Sequence, residues 1–139
     1  MHIDYHTDLT GNRMNNEITR RDVTMAMTNI EMETQTQIAA CLEAMNACNK
    51  CYVSSLKEYD LGMLKESIRL NREAAEICSF AASALSRGTD YKDEILALVV
   101  KACRACVAEC EKHEHLHCKA CVDSCRKCAE VCSPAGLAV

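Results

Sequence analysis

The stretch CRACVAECEKHEHLHCKACVDSCRKCAEVC, residues 103–132, places cysteine at positions 103, 106, 110, 118, 121, 125, 128 and 132. Steps of three and four residues set side chains on one face of an α-helix. The rhythm holds through Cys110, lapses, and resumes at Cys118, so the stretch reads as two helices joined by a short turn. Folded back antiparallel, they set Cys110 opposite Cys118, Cys106 opposite Cys121, Cys103 opposite Cys125 and Val99 opposite Cys128. Two apolar-type seams that match along their whole length belong in the interior of a helical bundle.

The same rhythm appears upstream. Cys41, Ala44, Cys48, Cys51 and Ser55 lie on one face of a helix that begins near residue 32, and Ser67, Asn71, Ala74, Cys78 and Ala81 lie on one face of the next. Tyr59-Asp60 separates these two helices, with Asp60 the expected N-cap. Gly88 suits the left-handed residue that closes the second helix. Thr89 or Asp90 is expected to open the third helix, which should run to His113. The fourth covers about 117–132 and stops at Ser133-Pro134. Four helices of similar length with short links run up and down as neighbours, so the fold class is all-α, an antiparallel four-helix bundle. Residues 1–30 are expected to form a polar tail with a short extra helix over about 16–29. Residues 31–133 form the bundle and 134–139 a C-terminal tail.

Composition supports this reading. Glycine (4) and proline (1) are too scarce in 139 residues for an all-β chain of tight turns, and a 49% apolar share is too high for disorder. No apolar run approaches the roughly 20 residues of a membrane span. The formal charge of -4 and pI of about 5.7 leave no basic field for nucleic acid. Thr19-Arg20-Arg21-Asp22-Val23 faintly resembles a twin-arginine signal, but Glu31 and Glu33 occupy the region that should be apolar. A cytosolic, reducing location is therefore expected, in which twelve cysteines signify metal binding rather than disulfides.

Stacking the two hairpins gives expected layers of Cys51, Ser67, Cys110 and Cys118, then Cys48, Asn71, Cys106 and Cys121, then Ala44, Ala74, Cys103 and Cys125, then Cys41, Cys78, Val99 and Cys128. Cys132 follows with Leu96. One or two buried thiols pack as small hydrophobes, but twelve converging from four helices do not serve packing. A thiolate-lined tube selects soft ions, and Cu(I) accepts two or three sulfurs. Zinc sites are closed tetrahedra of four ligands, and the cysteine spacing departs from that of bacterial ferredoxins. A zinc or iron–sulfur bundle stands as the alternative.

The chain resembles the copper storage proteins over about residues 38–132. The resemblance rests on Cys48-Asn49-Lys50-Cys51, on Ile68-Arg69-Leu70-Asn71-Arg72-Glu73 with Ile77-Cys78, and above all on residues 103–132. It implies multiple Cu(I) ions held in the bundle, a homotetramer, a cytosolic location and a storage or detoxifying role. A copper chaperone or efflux system is the expected partner. Fuller members carry cysteine where this chain has Ala44, Ser55, Ser67, Ala74, Leu96 and Val99, so fewer ions are expected: about 6 at two thiols each, about 12 if thiolates are shared.

The expected ligands are Cys41, Cys48, Cys51, Cys78, Cys103, Cys106, Cys110, Cys118, Cys121, Cys125, Cys128 and Cys132, with His113 and His117 at the mouth between the third and fourth helices. His115 is expected to point elsewhere. Met45 reads as core, and Met25, Met27 and Met32, outside the tube, are not expected to form a soft entry site. Asn71, a polar amide on an inward seam, needs a partner. Tyr52, Tyr59 and Tyr91 read as packing residues. Glu43, Glu73, Glu76, Glu109 and Glu130 fall on outer faces, and no catalytic constellation is visible, so no enzymatic activity is expected.

Overall fold

A computed structural model describes residues 12–134, with side chains from residue 19. The described residues form helices α1 (Asn12–Leu56), α2 (Lys65–Ser86), α3 (Lys92–Cys110) and α4 (Leu116–Cys132), with a 3-10 turn at Leu61–Leu64 before α2. No strand occurs among them. The chain divides into two compact units, Met1–Thr34 and Gln35–Val139.

In the first unit the separate short helix expected over 16–29 is instead the opening part of α1. The sequence holds no glycine or proline between Gly11 and Gly62, and asparagine alone costs a helix only a few tenths of a kcal/mol per residue. Nothing there ends a helix. Thr24 and Thr28 donate their hydroxyls to the carbonyls of Arg20 and Thr24, at 2.9 and 3.0 Å. Val23, Met25, Met27, Ile30 and Met32 are exposed, and Met25 and Met27, two positions apart, do not share a helix face. The tail expected over 1–15 lies outside the described residues as far as Gly11, as do residues 135–139 of the C-terminal tail.

The second unit is an up-and-down bundle whose interior follows the seams. Cys41, Ala44, Cys48, Cys51 and Ser55 of α1 are fully buried, as are Ser67, Asn71, Ala74, Cys78 and Ala81 of α2. Leu96, Val99, Cys103, Cys106 and Cys110 of α3 and the five cysteines of α4 complete the core. The fold does not rest on thiols alone. Ala75, Ala82, Leu85, Ile95, Val100, Val122 and Ala129 are buried beside the seams, with Ile38, Met45, Ile68 and Ile77 packed against them.

The links fix the register. Gly88 adopts φ +71°, and the amides of Gly88 and Thr89 donate to the carbonyls of Leu85 and Ala84, at 3.1 and 3.2 Å, the paired bonds of a Schellman closure. Asp60 precedes the 3-10 turn and makes no side-chain cap, because its carboxylate is taken by His115. α3 starts at Lys92, later than expected, with Thr89 Oγ1 accepting from the Tyr91 amide (3.1 Å). It also ends early, at Cys110. Tyr59 and Tyr91 are exposed rather than packed, whereas Tyr52 lies under Arg72, whose guanidinium carbon is 5.8 Å from the ring centroid.

Candidate metal centre

All twelve cysteines are free and buried. Their sulfurs form a connected ladder rather than isolated pairs. Cys48 Sγ lies 3.6 Å from Cys121 and 3.3 Å from Cys125, and Cys106 Sγ lies 3.7 Å from Cys121 and 3.9 Å from Cys110. The sulfurs of Cys48, Cys106, Cys121 and Cys125 all fall within 4.8 Å of one another. Toward the α3–α4 turn the ladder continues through Cys51, Cys110 and Cys121 and then Cys51, His117 and Cys118. In the other direction it passes through Cys78, Cys103 and Cys128 to Cys41, Cys128 and Cys132.

These contacts follow the expected layers within one step. Cys51 meets Cys118 (3.9 Å) and Cys41 meets Cys128 (4.0 Å), both within a layer. Cys78–Cys103 (3.8 Å) and Cys48–Cys125 bridge adjacent layers. The layers are therefore staggered, and neighbouring clusters share sulfurs.

Asn71 sits inside this ladder. Its Oδ1 accepts from the thiols of Cys106 (3.2 Å), Cys121 (3.3 Å) and Cys110 (3.6 Å), while its Nδ2 and the Ser67 hydroxyl are buried with no hydrogen-bond partner. Both can donate to a thiolate. Proximity also divides the thiols electrostatically. Cys106 is held well below the usual thiol range by hydrogen bonds from Cys110, Cys121, Cys125 and Cys48. The Cys121 thiol is pushed up, because it gives its proton first to Cys106 and then to Cys110. Cys51 is lowered by hydrogen bonds from Cys110 first and then Cys121. Cys41 is lowered by Cys128, Cys132 and Cys78. Cys118 is pushed up to about 12 by burial, reinforced by the neighbouring Cys51. Hydrogen bonds among neighbouring thiols thus lower some members of the ladder and raise others, and the thiolate is the form in which sulfur binds a soft cation.

At the mouth His117 Nδ1 lies 3.4 Å from Cys51 Sγ and 3.6 Å from Cys118 Sγ. His113 turns its Nε2 to Glu109 (3.4 Å), and Glu109, expected on an outer face, is mostly buried (16% exposed). His115 does not point elsewhere. It stacks on His117 with centroids 5.1 Å apart and planes 6° from parallel.

A connected core of thiols in a four-helix bundle has close counterparts among known proteins. The family described as "Copper storage protein" matches residues 30–136. The chain belongs to the copper storage protein family. A curated relative, the uncharacterized cysteine-rich protein YhjQ of Bacillus subtilis, is 42% identical over 103 residues, 74% of this chain and 95% of the relative. The Cu(I)-bound copper storage protein BsCsp3, from the same organism, superposes with a TM-score of 0.70 at 42% identity, covering 72% of this chain and 94% of that one. The copper storage protein Ccsp of Streptomyces lividans, loaded with 10 copper equivalents, has a TM-score of 0.70 at 32% identity, covering 73% and 81%. These relatives favour copper over the zinc and iron–sulfur alternatives.

Membership leaves part of this mouth unread from sequence. Glu58 and Asp60 carry no motif, and they reach the histidines only because the α1–α2 and α3–α4 links fall at one end of the bundle. The signal available was that two helices, α2 and α3, separate the two links, which in an up-and-down bundle brings the chain back to the same end.

Proposed function

We propose that this chain stores Cu(I) in its bundle core, with the twelve cysteines as ligands and with His117 and His113 serving the mouth. The observation that carries the reading is the contact of Cys48, Cys106, Cys121 and Cys125, four buried thiols continued by further thiols in both directions. Thiolates at such spacing can each bridge two Cu(I) ions, because Cu(I) is satisfied by two or three sulfurs. Binding and release of a cargo ion, not catalysis, is the activity such a core supports.

The chain acts in the cytosol as a homotetramer, fed or emptied by a copper chaperone or efflux system. One Streptomyces lividans relative is described as a cytosolic copper storage protein. Among the described residues no helix is long and apolar enough to cross a membrane. Exposed Phe80 and Leu98 on α2 and α3 offer apolar surface for assembly.

Titration of the reduced, metal-free protein with Cu(I) against a strong chromogenic chelator tests storage. About 6 to 12 equivalents per chain are expected. Retention of fewer than two would sink the reading.

A further inference from the structure

Outside the thiol ladder, four side chains at the mouth form a linked row. Asp60 Oδ1 and Oδ2 each lie 3.1 Å from His115 Nε2. His115 Nδ1 lies 2.5 Å from Glu58 Oε2, and the same oxygen faces His117 Nε2 at 3.9 Å. His117 then turns its Nδ1 to Cys51 and Cys118. Glu58 and Asp60 come from the α1–α2 link, His115 from the α3–α4 link and His117 from the first turn of α4, so the row bridges the hairpins.

A neutral imidazole offers its lone pair at only one nitrogen. For His117 to present Nδ1 to a cation beside Cys51 and Cys118, its proton must reside on Nε2. That nitrogen is buried with no hydrogen-bond partner, and Glu58 stands opposite it. Closing the 3.9 Å gap by about 1 Å would make a normal hydrogen bond. The direction of Glu58 is set by His115, which Asp60 and the stacked ring of His117 hold in turn. A carboxylate behind a ligating imidazole fixes both its tautomer and its orientation.

We infer that Glu58, held by His115 and Asp60, is a positioning residue that keeps His117 Nδ1 facing Cys51 and Cys118, making an imidazole–thiolate landing site through which Cu(I) enters. The inference rests on the storage reading but concerns the rate of entry, not capacity. Glu58 touches no sulfur and acts through His117 alone.

The reduced, metal-free protein is mixed with Cu(I) held by a weak chromogenic chelator, and both the transfer rate and the final count are read. E58A is expected to slow transfer about tenfold while the final count falls by no more than about one ion. E58Q, whose amide oxygen still accepts from Nε2, recovers part of the rate. In H117A the further change E58A adds nothing, because the carboxylate has lost the group it serves. Glu114, 92% exposed in the same turn and paired with Lys119, provides the charge control: E114A should load at the wild-type rate. Nitrogen NMR of the metal-free protein should find His117 protonated at Nε2 and, in E58A, a mixture of the two tautomers. Wild-type transfer in E58A, an equal slowing in E114A, or an unchanged His117 tautomer in E58A would overturn the inference. If the wild-type protein retains fewer than two ions, the storage reading fails instead, and the NMR result still decides what Glu58 does.

Discussion

The two ends of the thiol ladder carry similar sulfur spacing in different surroundings. At the end near the α3–α4 turn, Cys51, Cys110 and Cys118 share the seams with Ser55, Ser67, Asn71 and His117, all groups that can donate or accept hydrogen bonds. At the other end Cys41, Cys78, Cys128 and Cys132 share them mainly with Ala81, Leu96 and Val99, with the buried Gln37 one turn beyond Cys41. A thiolate at the polar end has Ser67 Oγ and Asn71 Nδ2 available, both buried and unpartnered; Cys41, at the apolar end, is stabilised by other thiols alone. Helical phase therefore determines where sulfur goes, while the residues between the sulfurs determine how each end treats charge. Ions should enter and exchange through the polar end and be retained at the apolar one.

The largest test of that contrast removes sulfur from the middle of the ladder beside Asn71 and then from its apolar end. Cys121 contacts Cys48, Cys106 and Cys125, and Cys125 makes the closest approach to Cys48, so C121A/C125A cuts the ladder where it is most connected. It should lose about a third of its Cu(I), and C128A/C132A only about a sixth, since those thiols lie toward the end of the ladder. Each truncation costs about 1–2 kcal/mol as a small cavity, yet far-UV circular dichroism should show full helicity, because Leu85, Ile95, Val100 and Val122 remain buried beside the seams. Equal losses from both pairs would erase the distinction between the ends.

A smaller effect is expected at Asn71. N71L removes the oxygen that accepts from three thiols together with the unpartnered Nδ2, in a side chain of nearly the same size. Replacing a half-satisfied buried amide by an apolar group can be neutral for stability, so the melting temperature of the metal-free protein should change little. Cu(I) retention should weaken about tenfold at the polar end, read by competition with a strong chelator, with the apolar-end ions unaffected. A loss distributed over all ions would place Asn71 outside this contrast.

Much of the bundle was legible because the information lay in periodicity. Steps of three and four at Cys103–Cys110 and Cys118–Cys132 define two faces, and antiparallel pairing brings Cys106 to Cys121 without any need for coordinates. What was not legible depends on side-chain reach across links. His115, off the cysteine phase, was expected to point away; its backbone precedes α4, where helical phase does not apply, and its ring is drawn in by Glu58, Asp60 and His117. Asp60 failed as a cap for the same reason, since a carboxylate engaged with a histidine cannot also serve a helix amide. The extra helix was misjudged because asparagine and threonine weaken helices without ending them, whereas only glycine or proline would have broken α1.

The smallest expected effect comes from adding sulfur at the apolar end. Val99 is fully buried, one turn from Cys103 on the same seam and nearer the α2–α3 link. Cysteine is slightly smaller than valine, so V99C should cost about 0.5–1 kcal/mol, a change in melting temperature of a few degrees. The new thiol adds a donor where Cys78, Cys103 and Cys128 already form a cluster, and capacity should rise by about one Cu(I) per chain, measured by anaerobic titration. The added ion should also be among the last released to a chelator, because Leu96 and Ala81 rather than hydroxyls flank the seams there. If capacity stays the same, thiol number is not what limits this end. The scarcity of hydroxyl donors for the charge of a thiolate cluster would then be the limit, and V99C with L96S, which adds a hydroxyl one turn away, should restore the missing ion.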